Sequence, residues 1–251
     1  MAEWDDLARE LDAWRASGRT ATLWWRDDDA SRATGELERL LDLSEETETP
    51  VAVAVVPRDA ETGLGQSLER RPLASVLQHG FAHCNHAPPG AGKSELGPGR
   101  TLEAMLGELV RGRENLSQFP NFLPVLVPPW NRIDPDLPPR LPGIGLKGIS
   151  TYKARPAAEP APGLRCANTH ADLIDWPGGR DFVGTGAALD LVVGHLSARR
   201  AGRADAGEPT GLLTHHLALD EACWGFLGDF LERTHAHGAA SWIGPEEVFG
   251  R

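Results

Sequence analysis

Cysteine is scarce in this chain. Cys84, Cys166 and Cys223 are the only three in 251 residues, and they are widely separated. No Cys-x-x-Cys pair occurs, which excludes a disulfide framework and a thiolate zinc knuckle. Basic charge is also short: 25 Lys and Arg stand against 36 Asp and Glu, for a formal net charge of -11. That balance argues against nucleic acid or an anionic membrane as partner, since both want a basic face, and it leaves neutral and cationic substrates open. No apolar run approaches the roughly 18 residues that span a bilayer. The first ten residues are charged and helical in pattern, with no basic segment leading into an apolar one, so no secretory signal is expected. The expectation is a reduced, soluble, cytoplasmic protein. Nothing in the composition specifies an oligomeric state.

What is present is an alternation of short apolar runs and amphipathic stretches. Leu7, Leu11 and Trp14 mark an N-terminal helix, and Thr22–Arg26 reads as a strand. A helix is expected over 35–43, a buried strand over 51–56, and a helix over 68–77 leading into a short strand near 77–81. The clearest helix runs from Thr101 to Phe119, with Thr101 as its cap and Leu102, Met105, Leu106, Leu109 and Leu116 along one face. Further strands are expected at 125–127, 147–152, 173–174, 212–214 and 240–243, and further helices at 187–196 and 220–233. Strands separated by helices imply parallel pairing through right-handed crossovers. The whole of 1–251 reads as one α/β domain, a barrel more than an open sheet. No glycine-rich dinucleotide fingerprint follows the first strand; Arg26-Asp27-Asp28-Asp29 stands there instead. The Pro- and Gly-rich stretches 88–100, 135–145, 155–163 and 201–211 are loops between elements of one pattern. The chain holds eight tryptophans, most of which read as core.

The chemistry-bearing residues recur at one kind of place. Asp27–Asp29, His79 and His83, Pro128–Arg132, Asp172 and Asp175, and His215-His216 all lie at or just past the C-terminal end of an expected strand. In a parallel barrel those ends share the face where active sites form. Carboxylate and imidazole together suit a divalent metal, Zn²⁺ above all, with a position left open for water. Each group also has a plain reading: three aspartates as a solvated turn, a histidine pair as a satisfied loop. His195, His235 and His237 are assigned to surface or structure. His170 lies closer to the chemistry, and His86 adds a third histidine beyond the 79/83 pair.

Taken together, these residues resemble the polysaccharide deacetylases, the NodB-homology family also called carbohydrate esterase family 4. Arg26-Asp27-Asp28-Asp29 is similar to the family's strand-ending aspartate pair, in an Arg-x-Asp-Asp form. By that resemblance Asp28 is the catalytic base and Asp29 a metal ligand; a register one residue earlier makes the pair Asp27 and Asp28. His79-Gly80-Phe81-Ala82-His83 is similar to the family's His-Ser/Thr-x-x-His, with glycine replacing Ser/Thr, which implies His79 and His83 as metal ligands. Pro128-Pro129-Trp130-Asn131-Arg132 is similar to the third motif, whose arginine steadies the base, although Arg132 stands on the other side of the prolines. Asp172-Leu173-Ile174-Asp175-Trp176 matches the fourth motif. Leu213-Thr214-His215 matches the fifth, which implies His215 as the acid, with His216 as a rival.

The resemblance covers nearly the whole chain, from Trp24 to Trp242, and points to a divergent cytoplasmic member. It implies a distorted (β/α) barrel of about seven parallel strands. It further implies a Zn²⁺-type site and hydrolysis of an amide or ester, most simply an N-acetyl group on a sugar or small molecule. Asp175 would orient His215 or pair with Arg132, and Trp130, Asn131 and Trp176 would shape the substrate face. The alternatives are cleavage of a small ureide or cyclic amide on the same barrel, and a metal- or carbohydrate-binding protein without turnover.

Overall fold

The computed structural model describes residues 1–119 and 121–250. Its strands are β1 (Ala21–Ala30), β2 (Val51–Val55), β3 (Ala74–His79), β4 (Phe122–Val127), β5 (Gly148–Ile149), β6 (Arg165–Cys166), β7 (Ala171–Asp172), β8 (Thr210–Thr214) and β9 (Ala240–Trp242). They form one sheet in the order β6-β5-β4-β3-β2-β1-β8-β7, with β9 joined to the start of β1. Each of these pairings is parallel.

The sheet curls into a distorted barrel. Residues 165–172 carry the curl round, because β6 pairs with β5 and β7 pairs with β8. Between them Thr169 bridges Tyr152, and the His170 N–H reaches the Gly211 carbonyl. One extended run therefore touches both ends of the sheet.

Helices α1 (Trp4–Ala16), α2 (Gly35–Glu46), α3 (Thr62–Glu69), α4 (Leu102–Leu116), α5 (Thr185–Arg200), α6 (Glu221–Ala236) and α7 (Pro245–Phe249) surround it. Three caps use short polar side chains on orphan N–H groups: Thr34 at α2, Thr101 at α4 and Asp220 at α6. Two apolar layers result from strand alternation. Leu23, Trp25, Val51, Val53 and Val55 pack outward against helix residues such as Leu11, Leu40, Leu189 and Phe230. Trp24, Ala52, Ala54, Leu77, Val125 and Val127 cluster on the other side, closed off by Val248 and Phe249 of α7. Burying a large apolar side chain is worth about 1.5–3 kcal/mol each. Trp24 and Trp25 are adjacent and both fully buried, as a strand covered on both faces requires.

Several boundaries differ from the sequence expectation, and three of the differences bear on a functional residue or its neighbour. The helix expected over 68–77 ends at Glu69, because Pro72 removes a helical N–H and clashes with the preceding turn. β1 continues through all three aspartates to Ala30 instead of stopping before them. The strand expected at 173–174 lies at Ala171–Asp172, so Asp172 and not Asp175 ends it.

Candidate active site

On β1, Trp24, Arg26 and Asp28 share one face by alternation. Arg26 is fully buried, and its Nε lies 2.9 Å from Asp28 Oδ1 while its Nη2 donates to Asp28 Oδ2 at 3.0 Å. The same guanidinium donates to Ser150 Oγ at 2.7 Å, the Thr151 carbonyl at 3.2 Å and Asn131 Oδ1 at 2.8 Å. Asp27 faces the other way, toward β8. Its carboxylate accepts from Thr214 Oγ1 at 2.7 Å and the His216 N–H at 2.9 Å, and meets His216 Nδ1 at 2.5 Å. Burial works against a charged His216, but the Asp27 carboxylate outweighs it and raises the imidazole pKa.

Asp29 breaks the alternation. Its φ is +76°, and the register between β1 and β2 slips between Asp27 and Ala30. A bulge with a left-handed residue re-aims a side chain, and aspartate tolerates that conformation better than most. The redirected Oδ1 lies 3.0 Å from His79 Nε2 and 3.1 Å from His83 Nε2. These three ligand atoms lie within 4.8 Å of one another. Burial opposes charge on Asp29, yet the hydrogen bonds from both imidazoles prevail and hold its carboxyl well below the usual range.

The hydrogen bonding of His79 fits a metal ligand. Its Nδ1 lies 3.0 Å from the Val127 carbonyl, which can only accept, so Nδ1 carries a proton. In the neutral ring the Nε2 lone pair is then free and aimed at Asp29. Two acceptors facing each other need a cation between them, a proton or a metal ion. A histidine that donates its far N–H to a carbonyl and presents the other nitrogen is the usual metal-binding arrangement.

The loop carrying these histidines is held by Glu95, a fully buried carboxylate that accepts from the Phe81 and Ala82 N–H groups at 3.1 and 2.7 Å. Gly80 has φ +56°, and a Cβ there would sit 2.0 Å from Glu95 Oε2 and 2.7 Å from the Pro129 ring. Glycine stands in the second motif because Glu95 and Pro129 fill the space of a side chain.

Across the mouth, His215 follows β8. Its Nδ1 lies 3.9 Å from Asp172 Oδ1, and the Trp176 ring stands edge-on to it with centroids 4.6 Å apart. Asp172 accepts from Trp176 Nε1 at 2.8 Å and from the Ile174 N–H at 3.1 Å; burial raises its pKa. Trp130 and Asn131 both take left-handed backbone angles, φ +56° and +55°. That turn lays Trp130 against the His83 ring, centroids 4.4 Å apart, and delivers Asn131 to Arg26.

Two assignments from the resemblance move. Asp175 is not the partner of His215; its carboxylate accepts from the Gly178 N–H at 3.2 Å within a turn, and Asp172 faces the histidine. Arg132 does not reach Asp28 or Asp175; its Nη1 donates to the Lys93 carbonyl at 2.7 Å. Arg26 holds Asp28 instead. The Arg26-x-Asp28 spacing, which puts both on one strand face, was the available signal. Glu95 had none, since it sits in a loop whose path the sequence does not define.

His170 lies elsewhere. It stacks on His195, centroids 3.3 Å apart, with buried Glu208 3.4 Å from its Nε2, near the start of β8. His215 follows the other end of that strand, about 13–17 Å away at ~3.3 Å per residue. The cluster has the composition of a metal site, but the Gly211 N–H donates to His170 Nδ1 at 2.9 Å, so the proton of the neutral ring is on Nε2. No lone pair is left there for a metal. His195, predicted for surface or structure, is structural: burial, next to His170 and Arg199, lowers its pKa to about 2.

No family model matches the sequence. No curated protein matches it either. Solved structures do. A protein from Mycobacterium smegmatis described as a polysaccharide deacetylase aligns with TM-score 0.64 at 16% identity, over 92% of this chain and 89% of that one. A family 4 carbohydrate esterase from Streptomyces lividans, in complex with acetate, aligns with TM-score 0.57 at 14% identity, over 91% and 95%. A family 4 acetyl xylan esterase from Clostridium thermocellum, in complex with a cobalt ion, aligns with TM-score 0.50 at 13% identity, over 91% and 90%. The fold is therefore the distorted barrel of the NodB-type deacetylases.

Proposed function

We propose that this chain, built on the NodB-type deacetylase barrel, is a metal-dependent hydrolase that removes an acyl group, most simply acetyl, from an N-acylated sugar or related small molecule. The observation that carries the reading is the convergence of Asp29, His79 and His83 at one strand-end face, with Asp28 on the same strand and His215 across the mouth. One carboxylate and two imidazoles suit Zn²⁺ with open positions. A divalent ion held by these three residues would lower the pKa of a bound water and polarise the acyl carbonyl.

The protein's own groups supply the proton traffic. Asp28, oriented by two nitrogens of Arg26, accepts the proton of the attacking water. His215 delivers a proton to the departing nitrogen, and Asp172 behind it stabilises the ring while charged. Water adds across the C–N bond, giving a carboxylate and an amine. Trp130 and Trp176 flank the mouth; Trp176 is 37% exposed, as a substrate-facing ring would be.

The test is acetate release from N-acetylhexosamines by protein loaded with Zn²⁺ or Co²⁺, before and after chelation. Release that stops on chelation and returns with metal is the expected result. Full metal occupancy without release from any acetylated sugar or small amide overturns the reading. Elemental analysis of His83→Ala and Asp29→Asn should show metal lost from both.

A further inference from the structure

Next to the candidate site lies a cavity of about 940 Å³, walled by the loop from His86 to Gly99 on one side and by Asn131, Arg132 and Ile133 on the other. It adjoins the chemistry, since Asn131 and Thr151 line it and both bond Arg26, the partner of Asp28. The titratable side chains of the lining are His86 and Arg132, with no carboxylate among them. In a chain of net charge -11 that departs from the average surface.

Arg132 has one tether within the protein. Its Nη1 is tied to the Lys93 carbonyl at 2.7 Å, and its guanidinium lies where a Cβ on Gly92 would come within 2.4 Å. A side chain at 92 would displace it from this position. Among the described residues no carboxylate pairs with Arg132. Lys93 places a second cation 6.0 Å above the Trp130 ring, which itself packs on His83. A guanidinium without a carboxylate partner matches the two-oxygen geometry of a carboxylate or phosphate.

We propose that this cavity is a subsite for an anionic oxygen group, carboxylate or phosphate, on the part of the substrate beyond the scissile acyl group, with Arg132 as its main donor. This rests on the hydrolase reading and narrows its substrate class. The chain's overall negative charge does not forbid it, because screening over about 8 Å at physiological ionic strength makes the local cation dominate.

Three substrates separate the cases: N-acetylglucosamine, its 6-phosphate, and N-acetylmuramic acid, which carries a carboxylate. At least one anionic substrate should exceed the neutral sugar in kcat/KM by about 10- to 100-fold, the range of one charge-assisted hydrogen bond. The ratio should fall toward one in Arg132→Gln and persist in part in Arg132→Lys. Which anion is preferred identifies the source. Equal kcat/KM for neutral and anionic substrates, or a preference that survives Arg132→Gln, overturns the subsite while leaving the hydrolase reading intact. If no substrate turns over, calorimetric titration with inorganic phosphate still decides: binding to the metal-loaded protein that weakens in Arg132→Gln supports the subsite, and no difference between the two refutes it.

Discussion

Arg26 and Asp28 stand two residues apart on one strand and meet at two points, 2.9 and 3.0 Å, with both side chains closed to solvent. Residues i and i+2 of a strand point the same way, so the pair needs no loop to bring it together. Removing one partner of a buried ion pair leaves an uncompensated charge, which costs about 3–5 kcal/mol. Arg26→Gln should therefore destabilise the fold by that order in a denaturant titration, and Arg26→Lys by less. Asp28→Asn should keep its metal and lose about 10²–10⁴ in turnover, the usual contribution of a positioned base. If Asp28→Asn loses metal while Asp29→Asn retains it, the roles lie one residue earlier.

Gly80 should tolerate no side chain. The added Cβ of Gly80→Ala meets Glu95 Oε2 and Pro129, and φ +56° is itself unfavourable for alanine. Overpacking costs about 1–3 kcal/mol, and the left-handed backbone about 1–2 more. Thermal unfolding should show the loss, and metal occupancy should fall with it, because Glu95 holds the loop between the two histidines. An unchanged melting temperature and full occupancy would mean that the loop is not held as described.

His215 and His216 should separate cleanly. His215→Ala should reduce turnover and leave stability near the parent value. His216→Ala should cost on the order of 1–3 kcal/mol, since it strips a partner from buried Asp27. Asp172→Asn should reduce turnover, whereas Asp175→Asn should act mainly on the turn at Gly178. Steady-state kinetics beside denaturant midpoints distinguishes the two kinds of effect.

Acid should destabilise the protein partly through the His170–His195 pair. Burial lowers the pKa of both, His195 to about 2 from 6.5. Below about pH 6.5 the unfolded chain takes up protons that the folded chain refuses, so stability is full above that pH and falls as the pH drops toward 2. Each such proton contributes at most about 1.4 kcal/mol per pH unit. His195→Leu removes one of them, so its stability curve between pH 6 and 4 should be flatter than the parent's. Parallel curves would show that the pair is not neutral in the fold.

Much of the arrangement was legible because it is local. Period-two and period-3.6 patterns located the long helices and the β1, β2 and β8 runs, and the strand-end rule collected Asp28, Asp29, His79, His83 and His215 on one face. Those signals live within a few residues and survive without knowledge of neighbours. Strand ends were less legible. A two-residue strand such as β7 carries almost no periodicity, so the strand was placed two positions late and Asp175 was preferred to Asp172.

The alternating α/β architecture, the metal-suited donor types and their order along the chain follow from local pattern alone. Which carboxylate faces which base or imidazole depends on contacts distant in the chain. Asp27 turns to His216, Asp28 to Arg26 and Asp29 to His79 and His83, three consecutive residues with three separate partners. The physical reason is the bulge near the end of β1. A single left-handed residue at Asp29 reverses the direction that alternation would impose, and it is held there by contacts with strands and loops far away in the chain. The same holds for Arg132 and Arg26: both lie near candidate motifs, and only the folded barrel shows which guanidinium is buried beside Asp28 and which lies along the neighbouring cavity.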